Sequence, residues 1–143
     1  MSRVNGIAEF LNNVAKLKKT EEKVIALKFN DSIQLRIVLQ GMFDPSVKWL
    51  LPEGDPPYVP NKLVDQEHVL IKDIEKLRYY IEGFYPGLKQ AKRETMFVEL
   101  LERVAPADAV LLCQMKDKKR IPGITIDHVK AAFPDLIVEA EKV

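Results

Sequence analysis

The chain has 143 residues, 47% of them apolar and 30% charged, which suits one domain with a hydrophobic core and excludes a disordered chain. Its 22 lysines and arginines stand against 21 aspartates and glutamates. Any binding to nucleic acid must therefore depend on a local basic patch, because the overall charge of +1 supplies almost no attraction.

The number of cysteines and the distribution of apolar residues indicate the cellular compartment in which the protein is expected. Cys113 is the single cysteine, so no internal disulfide can form, and a reducing compartment, the cytoplasm, is expected. Its apolar neighbours predict a core position rather than a reactive thiol. The first residues lack the apolar stretch of a signal peptide, and no run of about 18 apolar residues predicts a membrane span.

Three helices are predicted in the first third of the chain, from apolar residues at spacings of three and four. The first runs from about Val4 to Leu17, with Ser2 as its N-cap. Thr20 is the predicted N-cap of the second helix. The buried face of this second helix is expected to consist of Val24, Ile25, Leu27 and Phe29.

The third helix and the connector after it complete the first half of the chain. The helix runs from Ile33 to about Gln40, has little polar face and is expected to be central, and Gly41 fits its C-terminus. Residues 44–61 form a Pro-rich connector of mostly extended geometry. Because the connector retains Trp49 and Tyr58, we expect it to pack on the helices. These two rings also qualify as a surface for a protein partner.

Four more helices are predicted in the second half of the chain. The fourth runs from about Gln66 to Glu82, the fifth carries a basic cluster at its start, and the sixth runs from Ala107 to Met115 after Pro106. The cluster consists of Lys89, Lys92 and Arg93. No stretch alternates with the period of a strand. The sequence therefore predicts an all-α protein, a single compact bundle of about seven short helices in one domain, residues 1–143, with residues 138–143 as a C-terminal tail.

A basic loop leads into the seventh predicted helix, Ile126 to Ala132. Pro122 and Gly123 form a turn, and Thr125 is the predicted N-cap of the helix, which Pro134 ends. The cations of the loop are Lys116, Lys118, Lys119 and Arg120. A positive loop beside the free amides of a helix N-terminus is typical of a phosphate-binding surface, although many basic loops are only solvated.

Nothing in the sequence indicates catalysis. His68 and His128 each stand alone, without the spacing of a metal site, and no glycine-rich phosphate loop occurs. The carboxylates are spread over helix surfaces with no pattern that would pair two of them. We therefore expect a protein that is not an enzyme and needs no metal or cofactor.

Four segments share their order of apolar positions and turn residues with a known family. They are residues 8–27, 35–49, 99–117 and 121–137. In this order they resemble the N-terminal, all-helical DNA-binding domain of ATP-dependent DNA ligases of the tailed-phage type. The resemblance covers most of the chain, and it extends to small proteins of tailed phages that carry this fold alone.

The resemblance implies a fold and a surface. In those ligases the domain grips duplex DNA through the minor groove and backbone, largely without reading sequence. The positions that match Gly123, Ile124 and Thr125 lie on the phosphate backbone. The chain lacks the nucleophile motif Lys-x-Asp-Gly and the adenylation and OB domains, so the resemblance does not extend to nick sealing.

Two hypotheses remain open at this point. The first is a non-catalytic module that binds duplex DNA, accessory to phage replication or repair, through the basic loop, the amides of Gly123–Thr125 and the cluster at Lys89. Such binding would depend on counterion release. The second is a protein-interaction module that kept the fold and lost DNA binding, with a replication, host or virion protein as partner. The near-neutral charge and the ring-bearing connector at Trp49 and Tyr58 favour the second.

Overall fold

Helices form all the regular secondary structure in residues 6–119 and 121–137, the residues that the computed structural model of the protein describes. Seven α-helices and one 3-10 helix occur in this part of the chain, which confirms the predicted all-α bundle. The α-helices are α1 Ile7–Ala15, α2 Thr20–Phe29, α3 Ile33–Phe43, α4 His68–Asp73, α5 Gln90–Arg103, α6 Pro106–Lys116 and α7 Ile126–Ala132. The 3-10 helix, Ile74–Tyr80, follows α4 directly.

The core is centred on α6 rather than on α3 alone. Helix α6 packs against α5, α1 and α3, and its Leu111, Leu112 and Met115 are almost completely buried. A helix with apolar residues on several faces buries them only when it has neighbours on several sides. Cys113 is buried in the same cluster, as predicted, and burial raises the pKa of its thiol to about 11, which keeps the sulfur protonated and unreactive.

The predicted end of α3 is wrong because Gly41 lies inside the helix, which continues to Phe43. A Cβ atom at Gly41 would lie 2.9 Å from Met115 Cε and 2.9 Å from Trp49 Cζ2. The glycine is therefore a packing residue, which lets a ring of the connector and a core methionine approach the helix backbone.

The predicted fourth helix is interrupted. Helix α4 gives way to the 3-10 helix, and the chain then leaves helical geometry at Ile81, which pairs with Trp49 in an isolated β-bridge. The Leu50 N–H donates to the Tyr80 carbonyl at 2.8 Å, and the Glu82 N–H donates to the Lys48 carbonyl at 2.9 Å. These long-range hydrogen bonds compete with the last helical turn, and residue spacing does not reveal them.

The helix starts follow local chemistry with two differences. Ser32 caps α3 by accepting from the Leu35 N–H at 3.0 Å. Thr20, predicted as the cap of α2, is instead its first residue, and Lys19 occupies the N-cap position. The predicted cap Ser2 lies outside the described residues, as does the predicted tail, and Gly6 is the N-cap of α1. No helix in the described part of the chain is long and apolar enough to cross a bilayer.

Asp108, in the first turn of α6, joins α6 to the start of α1. Its carboxyl is buried, and Oδ1 accepts from the Ala8 N–H at 3.0 Å. The other oxygen, Oδ2, has no hydrogen-bond partner among the described residues. The pKa of Asp108 is raised from 3.8 to about 6, mainly by burial; the hydrogen bond from Ala8 lowers it, and the carboxylates of Glu67 and Glu9 raise it. The charged form is thus the unfavourable one in the folded protein.

Replacement of Asp108 by asparagine is expected to stabilise the protein at neutral pH. Below about pH 4 the Asp108 carboxyl is neutral in both the folded and the unfolded protein. As the pH rises to about 6, the unfolded chain ionises more readily than the folded protein, and the free energy of unfolding falls by about 2 to 3 kcal/mol. Asparagine keeps the acceptor for Ala8 and carries no charge. Urea unfolding at pH 4.5 and pH 7 should therefore show that Asp108→Asn removes most of this pH dependence and unfolds at higher urea at pH 7.

A control for that experiment is Asp108→Ala, which removes the acceptor as well as the charge. It should leave the Ala8 N–H unsatisfied and be less stable than Asp108→Asn by about 1 to 3 kcal/mol. An asparagine variant that is less stable than the original protein at pH 7 would contradict the assignment of an unfavourable buried charge.

Candidate functional site

Lys116, predicted to bind a phosphate, is a buried structural residue. Its ammonium donates to the Pro52 carbonyl at 2.9 Å, to the Gly54 carbonyl at 2.6 Å and to Asp117 Oδ1 at 2.7 Å. The Lys116 and Asp117 side chains are only 1% and 3% exposed. The prediction for Lys116 is therefore wrong, because all three donors of the ammonium are used to hold the connector against the end of α6.

Lys118 is also used internally. It adopts a left-handed backbone with φ 57° after α6, and its ammonium donates to the carbonyls of Gly41 and Asp44, each at 2.8 Å. These carbonyls lie at the C-terminus of α3, where a cation also suits the helix dipole. Burial lowers the pKa of Lys118. Lys119 is exposed, and Arg120 lies outside the described residues.

Arg93, from the cluster at the start of α5, is buried as well. Its guanidinium donates to the Tyr79 carbonyl at 2.9 Å, to Gln90 Oε1 at 2.7 Å and to the Tyr85 carbonyl at 3.3 Å. The rings of Tyr79 and Tyr85 stack at 4.4 Å between centroids. Arg93 thus joins the 3-10 helix and the following turn to α5, which corrects its predicted place on a DNA-binding surface.

The turn before α7 is engaged in packing. The Ile124 N–H donates to the Ile121 carbonyl at 3.1 Å, and the Thr125 N–H donates to His128 Nδ1 at 3.0 Å. Thr125 is the N-cap of α7, as predicted, and its hydroxyl accepts from the His128 N–H at 3.4 Å. The amides of Ile124 and Thr125, predicted to bind phosphate, are therefore already satisfied, and His128 is a capping residue.

Gly123 has φ +98°, and a Cβ atom there would lie 2.5 Å from the Ala15 carbonyl oxygen. Its own carbonyl accepts a hydrogen bond from the Lys23 ammonium. Only glycine combines this backbone with such a close approach. The residue that the sequence places on a ligand surface thus packs against the end of α1 and is tied to α2.

Three of the predicted DNA-binding lysines remain exposed: Lys89, Lys92 and Lys119. Helices α5 and α6 follow each other with a two-residue link and pack together. Gln90 at the start of α5 and Lys116 at the end of α6 both contact residues 50–54 of the connector. The three lysines therefore lie towards one end of this helical pair, and their role on DNA stays a prediction.

The connector packs on the helices, as predicted, and its two aromatic residues serve as anchors. Trp49 is partly buried and donates from Nε1 to the Gly41 carbonyl at 2.9 Å. Tyr58 is also partly buried against the core, and burial raises the pKa of its hydroxyl. Both rings thus serve as packing anchors, and their place on a partner surface stays a prediction.

Where the connector crosses α5 it leaves an open groove of about 480 Å³, which we call the connector groove. Its walls are residues 51–57 on one side and α5 residues 94, 95 and 97–99 on the other, with Lys116 behind. Four carboxylates border it: Glu53, Asp55, Glu94 and Glu99. In the described part of the chain none of these four forms an ion pair. Spacing does not predict this cluster, because the connector and α5 meet only in the fold.

A second surface is apolar. Phe29 is 89% and Ile25 64% exposed one turn apart on α2, and Ile33, the first residue of α3, is 67% exposed; we call these three residues the apolar patch. The predicted buried face of α2 is therefore wrong for Ile25 and Phe29, and Leu27 is the one α2 residue that is fully buried. The available signal was the spacing of four between Ile25 and Phe29, which places them on one face of α2, away from Leu27.

The described residues contain no group of three or more His, Cys, Asp or Glu side chains placed to hold a metal ion. The functional candidates are thus two surfaces, the connector groove and the apolar patch. A family model described as a family of unknown function (DUF6433) matches residues 10–121, a stretch that contains both surfaces. No curated protein matches the chain.

Proposed function

The chain belongs to this family of unknown function, and we propose, from the geometry of its surface, that it is a non-catalytic protein-interaction domain. Its main contact surface in this proposal is the apolar patch. The observation that carries the proposal is the exposure of Phe29, 89%, together with that of Ile25 one helical turn before it on α2. Exposed apolar patches on folded domains mark sites that a partner covers.

The position of the patch supports this function. Helix α2 packs on α7 and α1 through its other side, so Ile25 and Phe29 are available without any change in the fold. A partner that covered a large aromatic ring and two branched side chains would gain about 1.5 to 3 kcal/mol from each fully buried residue. The complementary surface is expected to be apolar, with Arg36 and Asp31, an exposed ion pair at 2.6 Å, at the polar rim.

Substitution of Phe29 should separate partner binding from folding. Phe29→Lys removes an exposed ring, so the free energy of unfolding should change by less than about 0.5 kcal/mol. A photoreactive residue at position 29 should form one discrete adduct with a different protein in the cells that make the chain, and Ile25→Lys in the same molecule should abolish the adduct. Identification of the adduct by mass spectrometry is the measurement.

The matched control is a photoreactive residue at position 110, where Val110 of α6 is also about half exposed but lies outside the patch. The same adducts from both positions would show non-specific contact and contradict the proposal. An adduct with the mass of two copies of the chain would show that the patch binds a second copy of the chain and not a different protein.

Duplex DNA binding is the second candidate, favoured by the resemblance to the ligase domain and by the exposure of Lys89, Lys92 and Lys119. Two features oppose it. Lys116, Lys118 and Arg93 have other hydrogen-bonding partners, and the carboxylates of the connector groove lie along the same helical pair.

Fluorescence anisotropy with nicked and intact duplexes decides between the two candidates. Three lysines give a log–log salt dependence no steeper than about −3, so we expect weak binding that disappears at physiological salt. Tight binding with a steeper slope would contradict the interaction proposal. It would indicate that the basic loop, including Arg120, contacts the phosphate backbone of the DNA directly.

A further inference from the structure

The connector groove is held open by hydrogen bonds along its whole length. Gln90 Nε2 donates to the Leu50 carbonyl at 2.8 Å at one end, and the Val59 N–H donates to Glu102 Oε2 at 2.8 Å at the other. Between them, the buried Lys116 ammonium holds the carbonyls of Pro52 and Gly54. A site that is already formed loses little conformational entropy when a ligand enters.

The floor of the groove is apolar. Leu51, Phe97 and Val98 line it, together with the rings of Pro56 and Pro57, and Phe97 is buried against Tyr80. A volume of about 480 Å³ lies in the range of natural ligand pockets. It accommodates one large apolar side chain and part of the backbone that carries it.

The border of the groove is negative and poor in donors. Its four carboxylates can only accept hydrogen bonds when charged. Pro52, Pro56 and Pro57 have no N–H group. Lys116 is paired with Asp117 at 2.7 Å and donates inward. A ligand must therefore bring positive charge and hydrogen-bond donors, while a phosphate group would be repelled.

We propose that the connector groove binds an extended basic segment of a partner protein. One large apolar side chain of the segment lies on the floor formed by Phe97 and Val98. Lysines or arginines on both sides of it pair with Glu53 and Asp55 on the connector and with Glu94 and Glu99 on α5. This site shares no residue with the apolar patch, so the proposal is independent of the function assigned to the patch.

The test uses labelled peptides and the full chain. The probe has a central Leu-Trp pair with two arginines on each side. One comparison peptide replaces the central pair with Ser-Ser, and another replaces the arginines with glutamates. Anisotropy titrations should show saturable binding of the probe alone, and the backbone NMR signals that shift should belong to residues 51–57 and 94–99.

The variant Glu53→Gln/Glu94→Gln/Glu99→Gln should weaken binding of the probe at least about tenfold, because its charged contacts are lost. The matched control, Glu21→Gln/Glu75→Gln/Glu82→Gln, makes the same change in net charge at exposed positions away from the groove, and should change affinity less than about twofold. Thermal unfolding of both variants checks that the fold is kept.

Three results would overturn the proposal. One is equal weakening by the two triple variants, and another is binding of the Ser-Ser peptide or of spermidine as tightly as the probe, since either would show attraction by charge alone. The third is no binding of the probe up to about 1 mM, the weak limit of specific recognition.

Discussion

Lys116→Met is expected to lower the free energy of unfolding by about 3 to 5 kcal/mol, the cost of removing one member of a buried ion pair. The substitution keeps an unbranched side chain, one atom shorter, and removes the ammonium. The carboxylate of Asp117, 3% exposed, then loses its cation, and the carbonyls of Pro52 and Gly54 lose their donor. Urea unfolding followed by circular dichroism measures the change.

Lys119→Met provides the control, because Lys119 is an exposed lysine three residues away and should change stability by less than about 0.5 kcal/mol. A double-mutant cycle with Asp117→Asn gives the interaction itself. In the Lys116→Met background the asparagine removes an unpaired charge, so it should cost at least about 1 kcal/mol less than in the original protein. If Lys116→Met alone left the free energy of unfolding unchanged, the ammonium of Lys116 would not be what holds the connector.

Gly123→Ala is expected to destabilise the protein by about 3 kcal/mol, the sum of backbone strain and overpacking. The backbone at φ +98° disfavours any side chain, and the new Cβ would lie 2.5 Å from the Ala15 carbonyl oxygen. That oxygen belongs to the backbone, so the end of α1 must move. The turn before α7 would then separate from α1, and the contact between Gly123 and Lys23 would weaken.

Gly83→Ala is a matched control for that variant. Gly83 has a similar φ of +101° with no atom within 4 Å of its would-be Cβ, so it should show only the strain, about 1 kcal/mol. The difference between the two variants in urea unfolding isolates the close approach of the turn to α1. Equal effects would mean that the turn can move away freely, and would leave Gly123 available for a ligand.

The sequence by itself determined the helical class, the order of the helices and the ends of α6 and α7. Periodicity and capping residues are local, so α6 and α7 lie within one residue of their predicted bounds, and Cys113 is in the core. The connector was correctly expected to pack, because linkers rarely retain a Trp49 or a Tyr58. The all-α class follows from the same local signals.

The tertiary structure alone decided which charged and apolar groups face solvent. Lys116, Lys118 and Lys119 are close in sequence, yet one holds the connector, one caps α3 and one is exposed. Lys116 is the last residue of α6, whereas Lys118 follows it with a left-handed backbone, φ 57°, so neighbours in the basic run meet different surroundings. Successive side chains on a helix point in directions about 100° apart, which exposes Ile25 and Phe29 while Leu27 is buried. Tertiary packing also brings carboxylates about 40 residues apart in the chain, Glu53 and Glu94, to one groove. Spacing along one segment records which residues share its face, whereas exposure depends on the distant segments that cover that face.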